Sequence, residues 1–234
     1  MSARTGTAPG GGVYRVAIDG PAGAGKSTVA KAVAARLSIE YIDTGAMYRA
    51  VGLKLLAEGI GPGSADAQRR ARMLSETEID FAGGRVYLDG RDVSDDIRTD
   101  EVSRMASESS ALPEVREKLV ALQRAMGARK SVLMDGRDIG SNVFPNAEFK
   151  FFLTASPRER ARRRFLELRA KDEGVDFERV LADIEQRDYN DSHRALHPLV
   201  KADGAREIDS TRISADEVTE MILEIIRTRA PEKH

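Results

Sequence analysis

The hydrophobic pattern of this chain alternates between short, largely apolar runs and longer segments in which apolar residues repeat every three or four positions. We predict strands for the short runs, which lie at residues 14–18, 41–42, 131–134, 148–153 and 205–208. Strands that alternate with helices in this way are typical of a parallel sheet with helices on both faces. The predicted fold class is therefore α/β.

Capping signals and apolar spacing place helices between these strands. Capping-box patterns occur at residues 156–159 and 214–217, the first with Pro157 at the first helical position. The helix after the second box is predicted to bury one apolar face, made of Val218, Met221, Ile222 and Ile225. Further helices are predicted at residues 27–37, 99–110 and 113–128.

A different pattern begins at residues 59–64, where three glycines and a proline interrupt the helices. Residues 78–81 and 85–88 flank Ala-Gly-Gly and are predicted to form a hairpin. We predict an inserted subdomain over residues 64–112, between core segments 13–63 and 113–234. Because insertions at the strand-end edge of such sheets often carry ligand-binding groups, a binding role is favoured over a purely structural one.

Composition narrows the classes of function. The 234 residues suffice for one α/β domain with an insertion, and a formal net charge of −1 provides no global basic field for nucleic acid. The absence of cysteine excludes disulfides and thiolate metal sites. Without an apolar run of signal-peptide or membrane-span length, we expect a cytoplasmic protein. Residues 1–12 are small, polar and glycine-rich, and are predicted to be a disordered tail.

The strongest chemical signal is a glycine-rich loop between the first predicted strand and the helix at residues 27–37. Residues 20–27 fit the pattern G-x-x-x-x-G-K-[ST], in which backbone N–H groups and a helix N-terminus surround phosphate oxygens. In such loops the lysine, here Lys26, reaches the β- and γ-phosphates, and the hydroxyl, here Ser27, contacts Mg²⁺. The loop predicts a nucleoside triphosphate as ligand.

A second candidate lies at residues 43–49, directly after the strand at 41–42, where ligands of open α/β sheets bind. Thr44 is predicted to cap the helix that follows. Arg49 has the donors to clamp a phosphate, or it pairs with Asp43 or Glu58 at the surface. Taken alone, these residues favour the ion pair.

The segment Asp135-Gly136-Arg137-Asp138 puts three charged side chains at the end of a buried-strand pattern. Asp135 suits a direct or water-mediated contact with Mg²⁺. Arg137 is suited to hold an accepting or transferred phosphate, and Asp138 to accept hydrogen bonds from a base amine. The alternative is an Asp–Arg ion pair at a turn, but this crowding of charge favours a functional site.

Arginine crowds the helix after residue 156, at Arg158, Arg160, Arg162, Arg163, Arg164 and Arg169. This pattern fits three alternatives: a nucleic-acid-binding patch, a solvated helix face, or a lid that closes over ATP. The near-zero net charge of the chain disfavours the first. Farther along, Arg187, Asp191 and Arg194 share one helix face at spacings of four and three. A ladder of ion pairs within one helix is the commoner meaning of that spacing.

Taken together, the motifs at residues 16–27, 43–49, 135–140 and 143–145 resemble the bacterial cytidylate kinase family. Residues 88–94 and 97–98 are similar to that family's inserted subdomain, and the resemblance extends over about residues 14–228. It implies a P-loop NTPase fold with a five-stranded parallel sheet, a lid at about residues 157–174 and an enlarged monophosphate-binding insert. It also implies transfer of the γ-phosphate of ATP to CMP or dCMP with Mg²⁺.

The resemblance implies roles by motif position. The residues that would bind ATP phosphates are Gly20, Pro21, Ala22, Gly23, Ala24, Gly25, Lys26, Ser27 and Thr28. Those that would contact the acceptor phosphate or the transferred group are Thr44, Arg49, Arg137 and Arg187. The predicted catalytic set is Lys26, Arg137, Arg187 and the lid residue Arg160. Cytosine would be read by Ser107, Arg116 and Asp138, the sugar held by Asp191 and Arg194, and Mg²⁺ held by Ser27 and Asp135. Thr44 stands where many members have serine, and Asn190 where some have a further arginine.

Two alternatives stay open. One is a kinase for another acceptor, such as UMP, AMP or a metabolite. The other is a GTPase-type switch or a non-catalytic nucleotide-binding module, which predicts a guanine-reading Asn-Lys-x-Asp motif that the sequence lacks. As partners we expect small nucleotides, with neither nucleic acid nor membrane, and we expect a monomer.

Overall fold

The structure, a computed structural model, describes residues 13–170 and 174–229. The predicted tail at residues 1–12 and part of the predicted lid, residues 171–173, lie outside the described residues. The strands are β1 (Arg15–Asp19), β2 (Glu40–Asp43), β3 (Ile79–Ala82), β4 (Arg85–Leu88), β5 (Arg91–Asp92), β6 (Val132–Gly136), β7 (Phe149–Thr154) and β8 (Arg206–Asp209). The helices are α1 (Lys26–Leu37), α2 (Thr44–Ala57), α3 (Ala67–Ser75), α4 (Asp100–Ser109), α5 (Pro113–Arg129), α6 (Pro157–Arg169), α7 (Phe177–His193) and α8 (Ala215–Arg229).

The main sheet confirms the predicted fold class. Within the described ranges it has five strands in the order β2-β6-β1-β7-β8, and β1 runs parallel to both β6 and β7. The register pairs Ile18 with Asp135 and Asp19 with Gly136. Because parallel strands end at the same edge, the glycine-rich loop after β1 and the charged segment after β6 start side by side.

The core under this sheet is built mainly from hydrophobic side chains of β1, β7, α1 and α8. Val16 and Ile18 of β1 are fully buried, as is Val33 of α1. In α8 the buried hydrophobic positions are Val218, Ile222, Leu223 and Ile226. The prediction for Met221 is wrong, because the buried stripe of α8 turns toward residues 223 and 226 and leaves Met221 41% exposed.

The chain divides into two units, residues 42–126 and the remainder. The predicted insert at residues 64–112 lies inside the first of these, and its boundaries stay predictions. In this unit β3, β4 and β5 form an antiparallel sheet, which confirms the hairpin and adds a two-residue strand. Helices α2 and α4 approach closely at Gly52, where a Cβ would lie 3.1 Å from the carbonyl oxygen of Val102.

The helix caps differ in part from the prediction. Ser214 and Glu217 form a reciprocal capping box before α8. At α6 the Ser156 hydroxyl accepts from the Glu159 N–H at 3.3 Å, but the Glu159 carboxylate accepts from Arg162 and Arg163 instead of returning the bond. The prediction that Thr44 caps α2 is wrong, because Asp43 accepts from the N–H of Ala46 and Thr44 is the first helical residue.

Within residues 13–170 and 174–229, none of the helices is long and apolar enough to cross a membrane.

Candidate active site

The glycine-rich loop has a backbone that depends on its glycines. Gly20, Gly23 and Gly25 have φ of 148°, 73° and 86°, which L side chains rarely adopt. A Cβ on Gly20 would also collide with the carbonyl oxygen of Leu153. Gly25 is the N-cap of α1, and in the described residues no side chain caps that helix. The first N–H groups of α1 therefore suit an anion at this end.

Lys26 is buried at the start of α1, with 6% of its surface exposed. Its ammonium donates to the carbonyl oxygen of Pro21 at 2.7 Å, so the side chain folds back over the loop. Burial, and next the charge of Arg137, lower the pKa of Lys26 to about 7 against the opposite effect of Asp135 and Asp191. A phosphate group here would place a negative charge beside the ammonium and so favour its protonated form.

Ser27 and Asp135, predicted as the metal site, lie together. The Ser27 hydroxyl donates to Asp135 Oδ2 at 2.9 Å, and the Tyr41 hydroxyl donates to Asp135 Oδ1 at 2.8 Å. A hydroxyl and a carboxylate are the hard oxygen ligands that Mg²⁺ takes in small number, with water and phosphate completing its shell. The pair therefore fits that ion. Tyr41 was not identified from the sequence as a site residue, because a tyrosine in a predicted strand is expected to pack against other hydrophobic side chains.

Asp19, at the end of β1, is a second residue that sequence reasoning missed. Its carboxylate is 2% exposed and accepts from the backbone N–H groups of Ile139, at 2.8 Å, and Gly140, at 2.7 Å. Burial raises the pKa of Asp19 to about 6 although these two hydrogen bonds lower it. The signal available in the sequence is an acidic residue directly after the apolar run Val16-Ala17-Ile18.

The charged segment after β6 meets the end of α7 through two ion pairs. Arg137 Nε donates to Asp191 Oδ2 at 2.6 Å, and an Arg194 guanidinium nitrogen donates to Asp138 Oδ1 at 3.0 Å. Burial raises the pKa of Asp191, but Arg137 and then the more distant arginines outweigh it and hold that pKa below its usual value. Asp191 and Arg194 thus pair across elements with the predicted phosphate and base ligands. The ladder within one helix does not account for these contacts.

Arg160, the predicted lid arginine, is 3% exposed on α6. Its guanidinium donates to the carbonyl oxygens of Ala155, at 2.8 Å, and Ala22, at 3.0 Å, and forms a 2.6 Å ion pair with Asp188. It therefore links the glycine-rich loop, α6 and α7. Its action on a transferred phosphoryl group stays a prediction.

Arg163 lies beside the same loop and was not singled out from sequence. It donates to the carbonyl oxygen of Ser210 at 2.6 Å and to Glu159 at 3.0 Å. A Cβ built on Gly25 would lie 3.8 Å from its guanidinium. The other four arginines of α6, namely Arg158, Arg162, Arg164 and Arg169, are exposed.

Four predicted acceptor residues belong to the unit at residues 42–126. Arg49 pairs with Asp43 at 3.1 Å, as the sequence favoured. Thr44 is 3% exposed, and Ser107 is half-buried on α4. Arg116 is 3% exposed, donates to the carbonyl oxygen of Ser110 at 3.3 Å and stacks over the Tyr48 ring at 5.9 Å. Nucleotide contacts by these four, and by the exposed Arg187, stay predictions.

Comparison with known proteins covers almost the whole chain. The family model described as cytidylate kinase matches residues 16–228. The chain belongs to the cytidylate kinase family. A cytidylate kinase of Fervidobacterium nodosum is 48% identical over 215 residues, which cover 92% of this chain and 97% of that protein. One of Caldanaerobacter subterraneus subsp. tengcongensis is 52% identical over 213 residues, covering 91% and 94%.

Membership of the cytidylate kinase family confirms the predicted enzyme class, a nucleotide phosphotransferase, and removes the GTPase-type switch and the non-catalytic module. Solved structures support the fold alone. A shikimate kinase from Bacteroides thetaiotaomicron superposes with a TM-score of 0.51 at 15% identity, covering 92% of this chain and 98% of that one. An uncharacterized protein from Eubacterium ventriosum gives 0.52 at 16% identity, covering 92% and 99%.

Proposed function

We propose that this chain transfers the γ-phosphate of ATP to CMP or dCMP with Mg²⁺, giving ADP and CDP or dCDP. The observation that carries the proposal is the meeting, at the adjacent ends of β1 and β6, of a phosphate loop with a buried carboxylate suited to a base amine. Lys26 and Ser27 supply the donor side, and Asp138, 5% exposed and paired with Arg194, supplies the base-reading group.

Lys26 and the loop N–H groups hold the triphosphate of the donor. When ATP binds, the ammonium exchanges its hydrogen bond to the Pro21 carbonyl oxygen for contacts with the β- and γ-phosphates. There it stabilises the negative charge on the phosphoryl group during transfer. Ser27 and Asp135 would hold Mg²⁺, which when bound neutralises phosphate charge and fixes the donor geometry. Neither residue needs to accept a proton.

The acceptor phosphate is itself an anionic nucleophile, so no general base is required. Arg137 directs it, because Asp191 fixes one edge of the guanidinium and so the direction of its other N–H groups. Catalysis by this chain then consists of positioning and charge stabilisation.

Selectivity for cytosine comes from Asp138. A carboxylate accepts from the cytosine 4-amino group, whereas uracil presents an acceptor there, which repels the carboxylate and offers it no hydrogen bond. A site built on such a hydrogen bond rejects the wrong base by orders of magnitude. The runner-up UMP kinase lacks this match, whereas adenine also carries an amino group, so a panel of acceptors is what separates CMP from AMP.

The test is a panel of acceptors with ATP and Mg²⁺, with release of ADP as the readout. We expect turnover with CMP and dCMP, little with UMP, AMP or no acceptor, and none after chelation with EDTA. Lys26→Ala should lose about a hundredfold or more in kcat, whereas Lys31→Ala, an exposed lysine of the same helix, should not. Turnover that is independent of acceptor, or a folded Lys26→Ala with normal activity, contradicts the proposal.

The proposal includes action in the cytoplasm as a monomer, without nucleic acid. The near-neutral net charge of the chain disfavours binding to nucleic acid. Light scattering should give a mass near 25.6 kDa with and without nucleotides, and a dimer mass contradicts it.

A further inference from the structure

Asp19 is a buried carboxylate that no step of the proposed reaction uses. It is 2% exposed at the last position of β1, next to the first glycine of the phosphate loop. Removing a carboxylate from water is costly unless hydrogen bonds replace its hydration. The two groups that replace it lie in the segment that follows Asp138.

The carboxylate of Asp19 anchors that segment through both of its oxygens. Oδ1 accepts from the Ile139 N–H at 2.8 Å, and Oδ2 accepts from the Gly140 N–H at 2.7 Å. Gly140 permits this approach, because a Cβ there would lie 3.3 Å from Asp19 Oδ2 and 3.1 Å from Lys150 Cδ. An ionised carboxylate with two N–H donors is among the stronger hydrogen-bonded arrangements in proteins.

The anchored backbone continues directly into Asp138. Residues Ile139–Val143 form a π-helical turn, in which the N–H groups of Asn142 and Val143 donate to the carbonyl oxygen of Asp138 at 2.9 and 3.1 Å. The Asn142 side chain also donates to Asp138 Oδ2 at 3.0 Å. The turn and the Asp138 carboxylate are therefore held as one piece, and Asp19 fixes that piece to the end of β1.

We propose that Asp19 is a positioning residue for base selectivity, which aims the Asp138 carboxylate by holding the N–H groups of Ile139 and Gly140. This inference rests on the proposed function, because it needs Asp138 to read the base. It predicts that damage at Asp19 falls on the acceptor more than on the donor.

The test compares Asp19→Asn with two other variants in steady-state assays with CMP, UMP and varied ATP. Asparagine keeps the shape but turns an amide donor toward one of the two N–H groups. Gly140→Ala strains the same contact from the other side and serves if Asp19→Asn does not fold. Glu148→Gln is the matched control, since Glu148 accepts from the Arg15 N–H at 2.7 Å, at the opposite end of β1.

For Asp19→Asn we expect kcat/KM for CMP, and the ratio of CMP to UMP, each to fall by about tenfold or more. KM for ATP at saturating CMP should stay within about twofold, since the donor contacts are untouched. Gly140→Ala should shift the ratio in the same direction by a smaller factor. Glu148→Gln should leave the ratio unchanged even where it lowers the melting temperature.

A CMP preference in wild type that persists in folded Asp19→Asn and Gly140→Ala overturns the positioning role and leaves the proposed function standing. Equal losses for ATP and CMP, with an unchanged CMP-to-UMP ratio, also overturn it, because they indicate a general structural role. A wild type without CMP preference overturns the proposed function and this inference with it.

Discussion

Nucleotide binding should drive a proton onto Lys26. Without nucleotide the ammonium is 6% exposed, donates to the carbonyl oxygen of Pro21, and has a pKa lowered to about 7 by burial and by Arg137. The β- and γ-phosphates of a bound nucleotide place negative charge beside it, which returns the pKa toward the ordinary value of 10.5. At a pH between these two pKa values, Lys26 is protonated in the nucleotide-bound protein and largely neutral in the free protein.

The number of protons follows from that pKa and the pH. With a pKa of about 7, about nine-tenths of the free protein carries a neutral Lys26 at pH 8, and about one-tenth does at pH 6. Binding should therefore take up about 0.9 proton at pH 8 and about 0.1 at pH 6. The affinity contributed by Lys26 should weaken as the pH rises from 6 to 8.

Isothermal titration calorimetry measures this uptake directly. A non-hydrolysable ATP analogue is titrated in HEPES and in Tris, and the dependence of the observed heat on the ionisation enthalpy of the buffer gives the proton count. Lys26→Met keeps most of the apolar stem without a titratable group, so the difference between the proteins removes protons exchanged by the nucleotide. Equal proton counts in the two proteins at pH 8 would refute the reasoning.

The remaining predictions concern selectivity and stability. Asp138→Ala should lower the ratio of kcat/KM for CMP over UMP by about tenfold or more while sparing KM for ATP, and an unchanged ratio in a coupled assay removes Asp138 from base reading. Gly127→Ala should cost about 1–3 kcal/mol in thermal unfolding, because its Cβ collides with the ring of Phe144, whereas Gly63→Ala meets nothing within 4 Å and should be near neutral. The pKa of Asp19, raised from 3.8 to about 6, makes the folded state bind an extra proton between about pH 4 and 6. As the pH rises from about 4 to 6, the unfolding free energy should therefore fall by up to about 3 kcal/mol more in wild type than in Asp19→Asn. Denaturant-derived unfolding free energies that change with pH in parallel in the two proteins contradict this.

The parts of the fold that local signals specify were predictable. The strands of the main sheet follow from apolar runs a few residues long, and each lies within two residues of its predicted bounds. The backbone conformation of the glycine-rich loop was predictable, because its three positive φ angles require glycine at fixed spacing. The hairpin followed from Ala-Gly-Gly, but β5 has only two residues and carries no periodic signal.

The site depends on partners far apart in the chain, and these could not be read from spacing. Arg137 meets Asp191 across 54 positions, and Arg160 meets the loop carbonyl of Ala22 across 138. Regular spacing on α7 suggested a ladder within one helix, but tertiary packing puts Asp191 against Arg137 of another element. Asp19 was missed for the same reason, since its two donors lie 120 and 121 positions away.

For its arginines the sequence raised two alternatives, an ion pair and a phosphate ligand, and the observed geometry makes the two compatible. Arg49 and Arg137 are each paired with a carboxylate, at 3.1 and 2.6 Å. A guanidinium has five donors in a rigid fork, so one carboxylate does not exhaust them. The pair fixes a side chain that otherwise loses up to about 2 kcal/mol of rotamer entropy on binding. For Arg137 the partner Asp191 also offsets the charge of a largely buried cation. An arginine paired in this way is pre-organised, so if Arg137 binds the acceptor phosphate as proposed, removing Asp191 should weaken acceptor binding although it makes the net charge more positive.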